Sequence, residues 1–202
     1  MKNKVLKVGI TGGIGAGKTT VTNIFSLLGV PVYYADDRAK YILHHDETVS
    51  RQVREKIGQE AFKDGKLDTQ YISKEVFKDA AKLALLNSIV HPRVGQDFEQ
   101  WVNLQTGPYI LKEAALLYEA GSYKDLDKMI TVFAPVELRI KRVLQRDPQR
   151  TEEVLRGIIE KQMPDAEKVS RADYVIRNDD TELLIPQVLA LHQVFMAGST
   201  PL

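Results

Sequence analysis

Near its start the chain reads Val8-Gly9-Ile10-Thr11-Gly12-Gly13-Ile14-Gly15-Ala16-Gly17-Lys18-Thr19-Thr20. It matches the pattern G-x-x-x-x-G-K-[ST], in which Gly12 and Gly17 are the fixed glycines. The apolar run 5–10 leads into it, and apolar side chains at helical spacing follow it. The spacing therefore predicts a strand, a tight glycine-rich turn and a helix in direct succession.

This arrangement suits the binding of phosphate groups. Glycines let the backbone turn so that successive N–H groups point at one anion, and the helix N-terminus adds a partial positive charge. Lys18 can reach the outer phosphates, and the Thr19 hydroxyl can ligate Mg²⁺. The alternative is a flexible glycine turn without a ligand, but the complete pattern in its strand–helix context favours a phosphate site. The predicted nucleotide contacts are Gly13, Ile14, Gly15, Ala16, Gly17, Lys18, Thr19 and Thr20.

The composition indicates an ordinary soluble globular chain. Its 202 residues suffice for one domain with a substantial core, and 44% of them are hydrophobic and 27% charged. The net charge of +1 implies no general attraction to nucleic acid or membranes, and cysteine is absent. The start of the chain lacks the apolar segment of a signal peptide, and no run of about 18 apolar residues predicts a membrane span. We expect a cytoplasmic monomer or weak homo-oligomer with a small-molecule substrate and neither a nucleic-acid nor a membrane partner.

The remaining sequence alternates short apolar strands with amphipathic helices. Further strands are predicted at 30–34, 108–113, 128–133 and 172–178. Strands that alternate with helices indicate an α/β fold with a parallel sheet. In such sheets ligands bind beyond the carboxyl ends of the strands, so the side chains that follow these strands are site candidates.

Two acidic residues occupy such positions. Asp36 follows the second predicted strand, where a carboxylate can accept a proton from a substrate hydroxyl or, alternatively, cap the next helix. Glu113 ends the third predicted strand, close in principle to a Mg²⁺ held by Thr19. We therefore predict Thr19 and Glu113 as metal ligands and leave both roles of Asp36 open at this point.

Residues 46–106 are rich in charge and helical periodicity and have few strand signals. We predict helices over 48–57 and 73–86, and a further helix that ends near residue 104. The segment 87–93 is expected to interrupt the helical pattern, because Pro92 disfavours helical geometry at His91. A single histidine before proline is more typical of a structural or binding role than of proton transfer. The segment is a natural insert for recognising an acceptor substrate.

A helix predicted from residue 136 carries several arginines. Arg142 and Arg146 are four positions apart on one helical face, where guanidinium groups can bind phosphates and stabilise charge during transfer. A solvated basic face is the alternative, and we prefer it for Arg139 and Lys141. The following residues, 146–163, could fold over a nucleotide as a mobile lid.

Several segments together resemble the dephospho-CoA kinase family over nearly the whole chain. Beside the phosphate loop, they are Ala35-Asp36-x-x-Ala39, Gly65-Lys66-Leu67-Asp68, Leu86-Asn87-x-Ile89-Val90-His91-Pro92, Leu116-Leu117-Tyr118-Glu119 and Ala172-Asp173-Tyr174-Val175-Ile176-x-Asn178. The phosphate loop alone indicates only nucleotide phosphates, whereas the His91-Pro92 and Asp173–Asn178 segments are far more specific. The chain departs from the family pattern at Tyr34, Lys40 and Ala115.

The resemblance implies an α/β fold of the P-loop NTPase type, a three-layer sandwich with a five-stranded parallel sheet. It implies one domain, 1–202, with a nucleotide-binding core at 1–45, 107–145 and 164–202, a helical CoA-binding insert at 46–106 and a helical lid at 146–163. The implied reaction is ATP-dependent phosphorylation of the ribose 3′-hydroxyl of dephospho-CoA, the final step of coenzyme A biosynthesis, with Mg²⁺.

The resemblance also implies roles for individual residues. Asp36 is expected to take the proton of the hydroxyl, while Lys18 holds the phosphates and Arg142 and Arg146 neutralise the transferring group. The implied substrate-binding residues are Asp36, Lys40, His91, Leu116 and Glu119. Another small P-loop kinase is the alternative. A GTPase-like switch would need a guanine-selecting Asn-Lys-x-Asp segment, and the sequence has none.

Overall fold

The computed structural model describes residues 5–76 and 78–197. Its strands are β1 (Leu6–Thr11), β2 (Val32–Tyr34), β3 (Phe62–Lys63), β4 (Lys66–Leu67), β5 (Tyr109–Glu113), β6 (Lys128–Phe133) and β7 (Tyr174–Arg177). Its α-helices are α1 (Lys18–Leu27), α2 (Ala35–His45), α3 (Glu47–Lys56), α4 (Thr69–Tyr71), α5 (Ala80–Asn103), α6 (Val136–Arg146), α7 (Glu152–Lys161), α8 (Asp165–Arg171) and α9 (Leu184–Ala197). Short turns of other helical types lie at Gln59–Ala61, Ile72–Val76 and Ser122–Asp125.

The described residues divide into two compact units. The first, here called the sheet unit, comprises those within Met1–Tyr34 and Gln105–Leu202. The second, here called the helical unit, is Ala35–Leu104. Most of the predicted insert, 46–106, lies in the helical unit, which also includes α2.

The sheet unit is built on a parallel sheet with the strand order β2-β5-β1-β6-β7. The central strand β1 pairs with β5 on one side and with β6 on the other. Its residues Val8 and Ile10 are fully buried, as expected for a parallel strand covered on both faces. The predicted α/β fold with a five-stranded parallel sheet is confirmed.

Apolar and aromatic side chains of α1, the sheet and α9 form the main core of this unit. Phe25 of α1 meets Tyr109 of β5 edge to face, with 6.4 Å between ring centroids. The Tyr109 hydroxyl lies 2.7 Å from His192 Nδ1 of α9, and burial raises the pKa of the phenol above its ordinary value. The core thus anchors α1, whose first turn follows the phosphate loop.

The helical unit joins α2, α3 and α5 around apolar contacts, with a small antiparallel hairpin of β3 and β4. Asp46 caps α3 by accepting from the Thr48 and Val49 N–H groups at 2.9 and 3.0 Å. Asp46 also lies 2.5 Å from Arg93 Nε of α5, so one carboxylate begins a helix and ties it to another. These contacts fix the start of α3 and attach it to the middle of α5.

The predicted interruption at His91-Pro92 is wrong, because α5 runs without a break through Pro92. Proline inside a helix costs about 3 kcal/mol through a lost hydrogen bond and a clash with the preceding turn. The opposite face of α5, however, buries an apolar stripe, and each such side chain contributes about 1.5–3 kcal/mol. The stripe consists of Leu86, Ile89, Val90, Val94 and Phe98. Burial along the whole helix therefore overrides the local preference at His91, which is exposed.

Two other local predictions are also corrected. The predicted helix over 73–86 is replaced by a π-helical turn at Ile72–Val76 and by α5, whose N-cap Asp79 accepts from the Ala81 and Lys82 N–H groups. Helix α8, Asp165–Arg171, was not predicted. Within residues 5–76 and 78–197, none of the helices combines the length and apolar content that a membrane span requires.

Candidate functional site

The phosphate loop connects β1 to α1 with a backbone that only glycine permits at two points. A Cβ on Gly12 would lie 2.4 Å from the Val132 carbonyl oxygen of β6. Gly17 has a φ of 94°, in the left-handed region, and a Cβ there would lie 2.1 Å from Asn178 Nδ2. The fixed glycines of the pattern are therefore explained by close backbone and side-chain approach.

Lys18 is the first residue of α1, and its side chain folds back over the loop. Its Nζ donates to the Gly12 carbonyl oxygen at 2.9 Å and to that of Gly13 at 3.4 Å. The first turn of α1 contains no acidic residue, so no carboxylate there offsets the positive end of the helix dipole. The loop and the helix start therefore present an ammonium and a helix N-terminus to an anion.

The predicted metal ligands lie in the first turn of α1 and at the end of β5. Thr19 and Thr20 are exposed in the first turn of α1, and Glu113 is the buried last residue of β5, in register with Ile10 and Tyr34. In the described part of the chain, no group of three or more histidine or carboxylate side chains could hold a metal. One hydroxyl and one carboxylate fit a Mg²⁺ that takes its other ligands from phosphates and water.

Asn178, at the end of β7, braces the far side of the loop. Its Nδ2 donates to the Ala16 carbonyl oxygen at 2.8 Å, and its backbone N–H donates to the Phe133 carbonyl oxygen at 2.8 Å. Arg142 Nη1 donates to the Asn178 carbonyl oxygen at 2.8 Å, and Nη2 contacts Asp180 at 2.5 Å. This role of Asn178 was not predicted from the sequence, although Asn178 directly follows a parallel strand, where site residues are expected.

The two predicted arginines of α6 therefore differ. Arg142 is half-buried and reaches the phosphate loop through Asn178, while Asp180 neutralises part of its charge. Arg146 is the exposed last residue of α6 and has no hydrogen bond or ion pair to any described residue. Of the two, only Arg146 presents a guanidinium whose charge no described carboxylate offsets.

Arg139, which the sequence analysis assigned to a solvated face, is buried against the loop with 2% of its surface exposed. Its Nη2 lies 2.6 Å from Asp165 Oδ2 of α8, and its Nη1 contacts the Ile14 carbonyl oxygen at 3.5 Å. A Cβ on Gly13 would lie 1.6 Å from Arg139 Nη1. Burial lowers the pKa of the guanidinium, and Asp165 opposes that change. The expectation of a solvated Arg139 is wrong, because helix α8, which was not predicted, covers it.

Gln162 contacts the same loop residue from the other side. The Ile14 N–H donates to Gln162 Oε1 at 3.1 Å. Gln162 follows the last residue of α7 and is the last residue but one of the segment predicted as a lid, 146–163. Its side chain is a second loop contact that sequence reasoning did not find, since no local pattern marks it.

The loop after β5 contains the predicted substrate residues Leu116 and Glu119. Leu116 is 46% exposed, whereas Leu117 is buried. Glu119 Oε1 accepts from the Met163 N–H at 2.8 Å and lies 3.0 Å from Lys168 Nζ. Burial alone would raise the pKa of Glu119, but the Met163 amide and Lys168 hold it below its ordinary value. Glu119 therefore ties this loop to the segment between α7 and α8.

The remaining predicted residues belong to the helical unit. Asp36 is the second residue of α2, so it stands inside the first helical turn and not at the N-cap. Lys40 Nζ lies 3.1 Å from Asp37 Oδ1, with both side chains exposed. His91 is exposed on α5. A carboxylate in the first turn of a helix interacts favourably with the helix dipole.

Comparison with known proteins gives one family. The family model described as "Dephospho-CoA kinase" matches residues 6–183. A dephospho-CoA kinase of Bacteroides fragilis is 37% identical over 187 residues, covering 92% of this chain and 91% of that protein. One of Methylococcus capsulatus is 37% identical over 191 residues, covering 94% and 96%.

Solved structures agree in fold. A Thermus thermophilus protein has a TM-score of 0.83 at 29% identity, covering 98% of this chain and 99% of that one. Dephospho-CoA kinase from Campylobacter jejuni has a TM-score of 0.70 at 24% identity, covering 99% and 100%. A shikimate kinase from Acinetobacter baumannii, at 15% identity and a TM-score of 0.54, shares the fold alone.

Proposed function

The chain belongs to the dephospho-CoA kinase family, and we propose how its residues divide the work of phosphorylating the ribose 3′-hydroxyl of dephospho-CoA. The enzyme is a transferase that uses ATP to phosphorylate dephospho-CoA in coenzyme A biosynthesis. The observation that carries this function is the family match over residues 6–183, which includes both the sheet unit's phosphate loop and the helical unit.

On the nucleotide side, the loop amides and Lys18 bind the phosphates of ATP. We assign the α1 N-terminus and the Lys18 ammonium to stabilising the charge that moves from the γ-phosphoryl group to ADP. The present contacts of Lys18 Nζ with Gly12 and Gly13 carbonyls keep the ammonium at the loop, where phosphate oxygens can replace a carbonyl as its acceptor. Positioning and electrostatics, rather than covalent catalysis, carry this kind of reaction.

Mg²⁺ fits the donors that the chain offers. Thr19 and Glu113 would hold it, and the ion would supply charge neutralisation on the phosphate oxygens. The Thr19 hydroxyl is exposed, and Glu113 ends the strand beside β1. The chain's own contribution is a hydroxyl and a carboxylate fixed by elements on either side of the loop.

On the acceptor side, we propose that Asp36 is the general base that accepts the proton of the 3′-hydroxyl. As the hydroxyl oxygen bonds to the γ-phosphorus, the bond to the β–γ bridging oxygen breaks, ADP leaves and the proton passes to the carboxylate. The support is the position of Asp36 directly after β2, at the carboxyl end of the parallel sheet strand. Lys40, His91 and Leu116 are proposed contacts to dephospho-CoA.

Glu119 was predicted to bind substrate, but its contacts favour an indirect role. Its carboxylate accepts from the Met163 amide and pairs with Lys168, so we propose that it shapes the loop that carries Leu116. Arg142 likewise supports the loop through Asn178, while Arg146 is the better candidate for direct neutralisation of the transferring phosphoryl.

We also propose that residues 146–163 close over the nucleotide and exclude water, which would otherwise compete as an acceptor. A cytoplasmic location and a monomeric or weakly homo-oligomeric state are proposed with it. The absence of cysteine suits a reducing compartment, and the net charge of +1 offers no attraction to nucleic acid.

A panel of acceptors with ATP and Mg²⁺ tests this function. The panel contains dephospho-CoA, a nucleoside monophosphate and shikimate, and ADP release and the phosphorylated product are both measured. We expect ADP release that depends on dephospho-CoA and a product carrying phosphate on the ribose 3′-oxygen. Turnover of another alcohol without turnover of dephospho-CoA would contradict the proposal.

A further inference from the structure

We propose that three side chains, together named the loop brace, position the phosphate loop and its lysine for phosphoryl transfer: Arg139, Asp165 and Gln162. This inference deepens the proposed function and rests on the role assigned there to Lys18. The three are positioning residues, because they act on the loop backbone: Gln162 and Arg139 contact Ile14, and Asp165 pairs with Arg139.

One residue of the phosphate loop, Ile14, is held through both of its flanking peptide groups. The Ile14 N–H donates to Gln162 Oε1 at 3.1 Å, while the Ile14 carbonyl oxygen lies 3.5 Å from Arg139 Nη1. The Gly13–Ile14 peptide is thus oriented by Gln162, and the Ile14–Gly15 peptide by Arg139. Loss of either contact leaves one of these peptides free to rotate, because each adjoins a glycine.

Arg139 is almost completely buried beside the phosphate loop. With 2% of its surface exposed, the guanidinium carries a large desolvation penalty that only its partners offset. Asp165 lies 2.6 Å from Nη2, and Arg139 Nε has no hydrogen-bond partner among the described residues. The Arg139 guanidinium lies so close to Gly13 that a methyl group on Gly13 would not fit. Arg139 therefore supports the loop as a rigid contact.

Arg139 also supports the loop residues that bind the Lys18 ammonium. Lys18 Nζ donates to the carbonyl oxygens of Gly12 and Gly13, and Gly13 is the residue that rests on Arg139. If the Gly13–Ile14 segment shifts, the Gly13 carbonyl oxygen that accepts from Lys18 Nζ therefore shifts with it. Because Lys18 is expected to reach the β- and γ-phosphates, the effect should be larger for ATP than for ADP.

Gln162 and Asp165 belong to one short segment, 162–165, that contacts three parts of the sheet unit. Gln162 contacts the phosphate loop, the Met163 N–H donates to Glu119 in the loop after β5, and Asp165 pairs with Arg139 of α6. Gln162 and Met163 are the last two residues of the predicted lid, 146–163, and Asp165 lies two positions beyond it. The brace therefore lies where lid position and loop geometry can affect each other.

The test compares Arg139→Met, Asp165→Asn and Gln162→Met with a matched control, Arg171→Met. Arg171 forms an ion pair with Glu167 on the same helix as Asp165, but both partners are exposed. For each variant, kcat per folded molecule and the ratio of ATP to ADP affinity are measured below the onset of unfolding. The affinity ratio separates the two roles, since partial unfolding reduces the number of sites without changing their preference for ATP.

We expect kcat per folded molecule to fall about tenfold or more in Arg139→Met and Asp165→Asn, with a smaller loss in Gln162→Met. The preference for ATP over ADP should fall in all three and stay at the wild-type value in Arg171→Met. Wild-type affinity ratios in the brace variants, with activity that follows only the folded fraction, would overturn the inference. If the Arg139 and Asp165 variants do not fold, Gln162→Met decides, because its side chain is only half-buried.

Lys18→Ala, measured in parallel, distinguishes failure of this inference from failure of the proposed function. If Lys18→Ala keeps wild-type turnover and ATP preference, the assigned role of Lys18 is wrong, and the brace has nothing to position. If Lys18→Ala loses activity while the brace variants behave like Arg171→Met, only the present inference is overturned.

Discussion

The sheet unit and the helical unit each contain an arginine–carboxylate pair between distant elements, and the two pairs differ in surroundings. Arg139 is 2% exposed in its pair with Asp165, whereas Arg93 is 43% exposed in its pair with Asp46. The first pair lies against glycines that have no room for a Cβ, and the second lies at the end of a capped helix. The sheet unit thus fixes its site with buried polar contacts, while the helical unit is fixed by helix caps and an apolar stripe.

This difference predicts different responses to substitution. Breaking a buried charged pair leaves an uncompensated charge and costs about 3–5 kcal/mol, whereas exposed pairs contribute about 0–1 kcal/mol. Small backbone changes in the sheet unit should therefore affect both stability and activity. Comparable changes in α5 should be tolerated or even stabilise the protein.

The largest effect is expected from Lys18→Ala in the sheet unit. Removing the ammonium removes stabilisation of the transferring charge, so kcat should fall by about 10²-fold or more. Steady-state kinetics with ATP and dephospho-CoA measures the loss. Lys141→Ala, which removes an exposed lysine of α6, serves as the control and should leave kcat unchanged. Equal turnover in the two variants would show that a lysine at the loop is not required.

A pair of glycine substitutions compares the two units directly. A Cβ at Gly13 would lie 1.6 Å from Arg139 Nη1, so Gly13→Ala should lower the free energy of unfolding by about 1–3 kcal/mol. Gly95 lies within α5 with no such neighbour within 4 Å, so Gly95→Ala should raise it by about 0.5–1 kcal/mol. Urea unfolding of both variants checks the signs. The same sign for both would remove the contrast between the units.

Pro92→Ala sharpens the account of α5. The substitution restores a backbone donor in a helix that is continuous through this position, and it relieves the clash with the preceding turn. We expect the free energy of unfolding to rise by about 1 kcal/mol or more, offset in part by the extra freedom of the unfolded chain. Thermal unfolding followed by circular dichroism measures the change. A marked loss of stability would mean that the proline conformation is itself required.

The smallest effect is expected in acid. The pKa of Asp46 is lowered by its hydrogen bond with Arg93, and that of Glu119 is lowered by Met163 and Lys168 against the effect of burial. Because both pKa values are depressed on folding, their stabilisation is complete above the ordinary carboxyl pKa and is lost as the pH falls through the folded values. Asp46→Asn and Glu119→Gln should each flatten the fall in unfolding free energy below about pH 5. Urea unfolding at a series of pH values measures this fall. A fall below about pH 5 that is as steep in the variants as in the wild type would contradict these pairings.

The sequence predicted the sheet unit better than the helical one, for physical reasons. Glycine spacing and apolar runs are local signals, and they located β1, the loop and α1 to within a residue at most boundaries. The contacts that support the loop are not local, since Asn178 and Ala16 are 162 positions apart. No spacing rule could have paired Arg139 with Asp165, because the helix that carries Asp165 was not predicted.

In the helical unit the error came from a local rule that burial overrides. The residue before a proline disfavours helical geometry, and this predicted a break at His91. The apolar stripe from Leu86 to Phe98 continues on one face through that point, and its burial outweighs the cost of Pro92. An inspection of periodicity across the proline, rather than up to it, would have predicted the continuous helix.

The carboxylate of Asp36, just after β2, is proposed to accept the proton of the acceptor hydroxyl. Single-turnover transfer of labelled phosphoryl from ATP to dephospho-CoA tests this role. Asp36→Asn is compared with Asp37→Asn, which changes the adjacent carboxylate in the same helical turn. We predict that transfer slows by about 10²-fold or more in Asp36→Asn, with nucleotide affinity retained, and stays at the wild-type rate in Asp37→Asn. A wild-type transfer rate in folded Asp36→Asn would contradict the account.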